Sequence, residues 1–226
     1  NGAILHSKIK QINISMDRNA SLMQRRKAAV ANGVGVFGHG TAVSANNAHI
    51  TDENGREFID FAGGIGVINA GHCPPPVVEA IKKQAEAYIH TSFNVVTYEP
   101  YIALCEKLND LFPHGEKTKS FLASSGAEAV ENAVKIARQA TGRSSVICFS
   151  EAFHGRTLMA LTLTSKTSYK NNCGPFAPEV YRLPYPNYFN YGDGLTKDQF
   201  IDREIRRLNE FGKTFVPTNQ IAAVVI

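Results

Sequence analysis

One short segment of this chain combines the residue types that bind a phosphate group. The sequence SSGAE at 124–128 places hydroxyl and small side chains directly before a stretch with helical periodicity. A helix that begins here would offer unpaired backbone N–H groups and the positive end of its macrodipole to an anion, with the Ser125 hydroxyl beside Gly126 and Ala127. The alternative is an ordinary helix start, because Glu128 stands three residues after Ser125 and completes a capping box. The local pattern leaves both open.

A second segment, Phe153-His154-Gly155-Arg156, could bind a flat ring and a carboxylate. An aromatic or imidazole ring can stack on a planar heterocycle, and an arginine can hold a carboxylate with two hydrogen bonds. The alternative is a packed phenylalanine, a hydrogen-bonded histidine and a surface ion pair. Both segments follow predicted strands. Since the carboxyl ends of parallel strands line the ligand crevice, we expect the two segments to face each other.

Two glycine-rich stretches are less informative. The stretch 33–38 matches G-x-G-x-x-G, and Asp52 and Glu53 follow at about the ~20-residue distance of a dinucleotide fingerprint. It follows a predicted basic helix rather than a strand, so nicotinamide binding is not favoured. The stretch 61–72 has apolar residues between its glycines, and a flexible connector is its default interpretation. No spacing indicates a metal site or a Ser-His-Asp triad.

Strands and helices alternate along the part of the chain that must position these segments. In the first part, the pattern predicts a helix at 21–32 that ends at Gly33 and a hairpin at 49–61 around Asn54-Gly55. It also predicts a helix at 74–89 that starts in three prolines and a further helix at 100–112. Strands are then predicted at 120–123, 145–149, 180–183 and 221–226, with helices at 127–140 and 196–211. This alternation predicts an α/β fold with a mostly parallel sheet. The last strand is apolar on both faces, as in a central strand, and its position at the end of the chain suggests truncation.

Composition excludes several classes of protein. The chain has 226 residues, 43% of them hydrophobic, and its 24 basic and 20 acidic residues are spread along the sequence. The net charge of +4 therefore forms no nucleic-acid footprint. No apolar run approaches the ~20 residues that cross a bilayer. The four cysteines are widely spaced, which favours free thiols and a cytoplasmic location.

Several longer stretches, taken together, resemble the class III aminotransferases, and most closely those acting on 4-aminobutyrate. They are DENGREFIDFAGGIGVINAGH, HTSFNVVTYEPY, SSGAEAVENAVKIAR, FHGRT and GPFAPEVYR, in family order between about residues 30 and 185. The resemblance implies a fold type I transferase that uses pyridoxal 5'-phosphate and forms a homodimer. It also implies that residues 1–75 belong to a small N-terminal α/β segment with the hairpin, and 76–226 to an incomplete large cofactor-binding domain.

The resemblance also assigns roles to individual residues. Gly126 and Ala127 would bind the cofactor phosphate through backbone N–H groups with Ser125 beside them, and Phe153 would stack on the pyridine ring with His154 adjacent. On the substrate side, Arg156 would face the carboxylate, Ile65 would line the pocket, and Asn94 occupies a position where some relatives have glutamine. No catalytic residue is assigned, because the cofactor-binding lysine and the aspartate that pairs with the pyridine nitrogen are expected beyond Ile226.

The reaction implied is a ping-pong transfer of an amino group from 4-aminobutyrate to 2-oxoglutarate, giving succinate semialdehyde and glutamate. An acetylornithine or ornithine aminotransferase is the alternative enzyme, and a phosphate-binding fragment or pseudoenzyme is the alternative without catalysis. We expect the 226 residues alone not to transaminate. Turnover of 4-aminobutyrate by this polypeptide with pyridoxal phosphate would contradict that expectation.

Overall fold

The computed structural model describes residues 17–38, 40–113, 115 and 117–226, and the chain divides into two compact units. The first unit ends at Thr97, and the second runs from Tyr98 to Ile226. The boundary predicted at residue 75 concerns the small and large domains of a whole enzyme, and it stays a prediction. Across the described ranges, no helix is both long and apolar enough to cross a membrane.

The first unit holds a helix, a three-stranded antiparallel sheet and two further helices. In chain order these are α1 (Arg18–Ala29), β1 (Ser44–Asn46), β2 (His49–Thr51), β3 (Glu57–Ile59), α2 (Gly63–Gly66) and α3 (Pro75–Ala87). The predicted hairpin is confirmed: β2 pairs antiparallel with β3, and Gly55 in the turn has a φ of +81°. Strand β1, which pairs with β2, was not predicted.

The ends of α1 and α3 follow from their capping residues. The prediction that α1 spans 21–32 is wrong at both ends. The Asp17 side chain accepts a hydrogen bond from the Ala20 N–H and starts the helix at Arg18, and the extended backbone of Val30 stops it well before Gly33. Helix α3 begins within the three prolines as predicted, with Pro74 extended at its N-cap.

Asp52 is a buried carboxylate that joins α1 to the hairpin. Its Oδ2 accepts hydrogen bonds from Asn19 Nδ2 at 2.7 Å and Arg56 Nε at 2.9 Å, and its Oδ1 accepts from the backbone N–H groups of Asn54 and Arg56. Burial by itself raises the pKa of Asp52. The hydrogen bonds, led by that of the Arg56 N–H, outweigh burial and hold the pKa at about 2.

The stability that Asp52 contributes should therefore depend on pH. Its pKa in the folded protein lies below the ordinary 3.8, so the contribution is complete above the ordinary value and is lost as the pH falls through about 2. We expect the melting temperatures of the wild-type protein and of Asp52→Asn to differ most above about pH 4 and to converge towards pH 2. Thermal melts across this range check the prediction, and a difference independent of pH would contradict it.

The second unit contains the parallel sheet and the helices that cover it. In chain order its elements are α4 (Glu99–Leu111), α5 (Gly126–Thr141), β4 (Ser145–Phe149), α6 (Leu158–Leu163), α7 (Thr167–Lys170), β5 (Val180–Leu183), α8 (Tyr188–Tyr191), α9 (Lys197–Thr214), a 3-10 turn (Thr218–Gln220) and β6 (Ile221–Val224). The predicted parallel α/β architecture is confirmed, since β4 pairs in parallel with both β5 and β6.

Strand β4 is the centre of the core because alternate side chains on it face opposite sides of the sheet. Val146 and Cys148 pack on one side with residues of α5 and α6. Ile147 packs on the other side in a second cluster with Leu183 of β5 and Phe211 of α9. Both faces of β4 are thus covered by helices, which is the arrangement that an apolar parallel strand requires.

Two strand predictions need correction. Residues 120–123 are not a strand: their apolar pattern suits one, but no other strand of the described chain pairs with them. Residues 221–226 were predicted to form a buried central strand. In the described chain the strand ends at Val224, and the order β5-β4-β6 places it beside β4 alone, with Val224 exposed.

Candidate active-site cleft

An open cleft of about 660 Å³ lies in the second unit, between the start of α5 and the loop that follows β4. Its lining combines the two segments that the sequence singles out: Gly126, Ala127, Val130, Phe153, His154, Gly155, Arg156 and Thr157. The expectation that these segments face each other is therefore met.

The start of α5 has the geometry of a capped helix whose first N–H groups remain available. Ser125 is the N-cap, and its Oγ accepts a hydrogen bond from the Glu128 N–H at 3.2 Å. Glu128 reaches back to the N–H of Ser124, at 2.9 Å, rather than to that of Ser125. The cap leaves the N–H groups of Gly126 and Ala127 without intrahelical acceptors, because the first turn of any helix lacks them. Ser125 itself is not one of the described residues that line the cleft.

Gly155 allows the loop after β4 to lie directly against α5. Its φ is +126°, a conformation that glycine adopts easily and other residues rarely do. A Cβ placed there would lie 2.6 Å from the Cβ of Ala127. The buried Thr164 hydroxyl holds the loop from the other side, because it accepts a hydrogen bond from the His154 N–H at 2.9 Å and lies 3.0 Å from the Gly155 carbonyl oxygen.

His154 presents a buried nitrogen that no described residue satisfies. Its Nε2 is inaccessible to solvent and has no hydrogen-bond partner in the described part of the chain. Burial lowers the pKa of His154, and the nearby positive charge of Arg182 lowers it further. Both effects favour the neutral imidazole, whose Nε2 can donate or accept one hydrogen bond. The preceding Phe153 ring is 58% exposed.

Glu131 connects α5 to the far end of the same loop. Its Oε1 accepts hydrogen bonds from the Thr157 hydroxyl at 2.6 Å and from the backbone N–H groups of Met159 and Ala160 at 2.9 and 3.2 Å. A carboxylate at this position satisfies the first N–H groups of α6 and complements the positive end of that helix. One side chain of α5 is thus hydrogen-bonded to the start of α6, directly after the Phe153–Arg156 segment.

Removing this carboxylate should loosen the loop. We expect Glu131→Ala to lower the free energy of unfolding by about 1–3 kcal/mol, because three donors lose their acceptor. Glu131→Gln keeps one acceptor oxygen and should lose less. Urea denaturation of the full-length protein measures both variants, and Glu106→Ala on exposed α4 is the matched control. Equal losses for Glu106→Ala and Glu131→Ala would contradict the assigned role.

Two cations stabilise the opposite end of α6. The Arg182 guanidinium donates to the carbonyl oxygens of Phe149 at 2.7 Å, Thr162 at 2.7 Å and Leu163 at 2.9 Å. The Lys170 ammonium donates to the Thr164 carbonyl oxygen at 3.0 Å, and burial, followed by the charge of Arg182, lowers its pKa. Cations at the carboxyl end of a helix complement its dipole. Lys170 thus donates to the backbone carbonyl oxygens of Thr162 and Thr164 rather than to a ligand.

The remaining two predicted site residues, Ile65 and Asn94, belong to the first unit. Ile65 is 79% exposed and has a φ of +62°, which is unusual for a β-branched residue. Asn94 is exposed in a turn in which the Val95 and Val96 N–H groups both donate to the Ser92 carbonyl oxygen. Their assignment to a substrate pocket stays a prediction.

Sequence reasoning missed Glu131 and Arg182. A usable signal existed for each. Glu131 follows Ala127 by four residues, so a helix places both side chains on one face. Arg182 is a lone charge inside an apolar strand, and such a charge must find partners when it is taken from water.

The cleft fits a ligand with a phosphate group and a flat ring. The first N–H groups of α5 offer donors to an anion, and the exposed Phe153 ring offers an apolar face. His154 Nε2 adds a buried polar atom whose hydrogen bond is missing among the described residues. Pyridoxal phosphate has the groups that these three features require.

Comparison with solved structures identifies the fold. A thermostable (S)-enantioselective ω-transaminase from Thermomicrobium roseum superposes with a TM-score of 0.80 at 27% identity, over 91% of this chain and 48% of that one. An aminotransferase from Vibrio fluvialis in its PMP-bound form gives 0.78 at 26% identity, over 88% and 47%. The parallel sheet and its cleft therefore define a fold type I transferase.

Comparison at the level of sequence identifies the family. The family model for class-III aminotransferases matches residues 31–226. A probable 4-aminobutyrate aminotransferase of Bacillus subtilis is 46% identical over 208 residues, covering 92% of this chain and 48% of the relative. A 5-aminovalerate aminotransferase of Pseudomonas putida is 44% identical over 209 residues, with the same coverage. The chain belongs to the class-III aminotransferases, and it spans about half the length of the curated relatives it matches.

Proposed function

We propose that the full-length protein transfers the amino group of 4-aminobutyrate to 2-oxoglutarate, with pyridoxal phosphate as cofactor. The products are succinate semialdehyde and glutamate. The observation that carries this proposal is the composition of one cleft, where free helix N–H groups, an aromatic ring, a buried imidazole and an arginine come together. These are the groups that a phosphate, a pyridine ring and a substrate carboxylate need.

Cofactor binding is assigned to the α5 side of the cleft and to the loop facing it. The N–H groups of Gly126 and Ala127 hold the phosphate, with Ser125 fixing the helix start beside them. Phe153 packs on the pyridine ring, and His154 Nε2 gains the hydrogen-bond partner that it lacks among the described residues. The bound cofactor supplies the electron sink for amino transfer, while the protein supplies binding and orientation.

Substrate binding is assigned to Arg156, with Ile65 and Asn94 as further pocket residues. An ω-amino acid carries its carboxylate at one end and its amine at the other. An arginine that holds the carboxylate through two hydrogen bonds therefore directs the amine towards the cofactor. The same arginine suits 2-oxoglutarate, which also presents a carboxylate.

The names of the relatives support donors of four or five carbons. Those compared above act, by name, on 4-aminobutyrate and on 5-aminovalerate, and a second 4-aminobutyrate aminotransferase from Escherichia coli is 43% identical over 212 residues. Acetylornithine or ornithine is the alternative donor. A cytoplasmic homodimer completes the proposal, and the four free cysteines suit a reducing compartment.

Donor screening of the full-length protein loaded with pyridoxal phosphate tests this function. With 2-oxoglutarate as acceptor, we expect kcat/KM to be highest for 4-aminobutyrate, lower for 5-aminovalerate and lowest for ornithine derivatives. Reaction with ornithine derivatives but not with 4-aminobutyrate would overturn the choice of donor. Binding of pyridoxal phosphate without turnover of any donor would favour the alternative without catalysis.

A further inference from the structure

Tyr169 on α7 lies against the arginine of the cleft. The Arg156 Cζ atom is 5.6 Å from the centroid of the Tyr169 ring, which is within the range of a cation–π interaction. Among the described residues, no side chain or backbone oxygen pairs with the Arg156 guanidinium. The aromatic ring is thus the contact that orients this cation, and it leaves the five N–H donors available to an anion.

The same ring also contacts the aromatic residue of the cleft. The Phe153 and Tyr169 rings meet edge to face, with centroids 5.6 Å apart and planes at 67°. Edge-to-face pairs contribute beyond the area that they bury, and they fix relative orientation. Tyr169 is half-buried and is not itself among the residues that line the cleft. It therefore supports from behind two residues that face the ligand.

We propose that Tyr169 is a positioning residue that determines the preference for carboxylate-bearing donors by orienting Arg156. The inference rests on the proposed function, because it takes Arg156 as the carboxylate ligand. A guanidinium held by an aromatic face keeps its donor edge free, whereas an ion pair with a protein carboxylate would occupy that edge. A neutral ring thus orients the arginine without competing with the substrate.

Lys166 provides a matched control at the same ring. Its ammonium lies 5.1 Å from the Tyr169 centroid, yet the side chain is exposed and does not line the cleft. Lys166→Met removes a cation from the same aromatic ring and leaves Arg156 unchanged. A general electrostatic effect would respond to Lys166→Met, whereas an effect through Arg156 would not.

The test is calorimetric titration of glutarate, a dicarboxylate that cannot be transaminated, into the full-length protein loaded with cofactor. We expect Tyr169→Leu to weaken glutarate binding about two- to fivefold, and Tyr169→Phe and Lys166→Met to change it by less than about twofold. In an Arg156→Met background, adding Tyr169→Leu should change nothing further, since the residue acts through Arg156. Thermal melting of each variant checks its folding. Tyr169→Met replaces Tyr169→Leu if the leucine variant does not fold.

The outcomes separate this inference from the proposed function. If Arg156→Met weakens glutarate and Tyr169→Leu does not, the role of Tyr169 is overturned and that of Arg156 stands. If Tyr169→Leu is equally harmful with and without Arg156, Tyr169 has a merely structural role and the inference fails. If neither variant affects glutarate binding, the carboxylate does not bind at Arg156, and both the role of Tyr169 and the assignment of Arg156 are wrong.

Discussion

Gly155→Ala should destabilise the second unit and disrupt the cleft, whereas the same change at Gly126 should not. The new Cβ would lie 2.6 Å from the Cβ of Ala127 and 3.0 Å from both the Ala127 Cα and the Ala160 Cβ. These atoms belong to helix backbones or to the first side-chain carbon, so no flexible side chain can give way. The loop has to move away from α5, and the two halves of the cleft then separate.

Two costs combine in this variant. Overpacking of a close contact costs about 1–3 kcal/mol. An alanine at a φ of +126° pays about 1–3 kcal/mol of backbone strain as well. We therefore expect the free energy of unfolding to fall by about 2–6 kcal/mol. Urea denaturation of the full-length protein measures this loss, and absorbance titration measures the accompanying loss of affinity for pyridoxal phosphate.

Gly126→Ala is the matched control on the other side of the cleft. A Cβ at residue 126 meets no atom within 4 Å, and its backbone needs no positive φ. We expect its free energy of unfolding to stay within about 0.5 kcal/mol of the wild-type value. If Gly155→Ala were as stable as Gly126→Ala, the close approach of the loop to α5 would not exist in solution.

Sequence reasoning is most accurate where a capping residue defines an element. Ser125 and Gly142 delimit α5 to within one residue, because a serine that accepts a hydrogen bond from a first-turn N–H and a glycine in the left-handed region are local requirements. Strand β4 has the predicted limits because it is covered on both faces. Residues 120–123 show the opposite case: their local preference is for a strand, but a strand exists only where another one pairs with it.

The candidate site shows the same contrast between local features, which the sequence predicts, and long-range contacts, which it does not. Most of the residues that line the cleft could be predicted, with Val130 and Thr157 as the exceptions, since a helix start and the end of a strand suit anions and rings for local reasons. The contacts made by the residues behind them could not be predicted. Glu131 and Tyr169 act on the loop from 26 and 13 residues away in sequence. Nothing in the local pattern states that a carboxylate will cap another helix or that a ring will support an arginine.

Arg156→Ala should weaken the binding of carboxylate-bearing substrates while leaving the fold intact. Loss of a charged hydrogen bond costs about 1.5–3 kcal/mol, which raises KM for 4-aminobutyrate roughly ten- to hundredfold. Arg156 makes no hydrogen bond or ion pair with another described residue, so its removal leaves no buried protein group unpaired. Steady-state kinetics of the full-length protein measure KM, and a thermal melt shows whether stability is retained.

The choice of donor separates a binding role from a structural one. An amine without a carboxylate gains nothing from Arg156, so its kcat/KM should be similar in Arg156→Ala and in the wild type. Arg206→Ala, on the exposed part of α9, removes an equal charge far along the chain and controls for net charge. An unchanged KM for 4-aminobutyrate in Arg156→Ala would mean that Arg156 merely packs on Tyr169. In that case, the carboxylate would have to bind another cation.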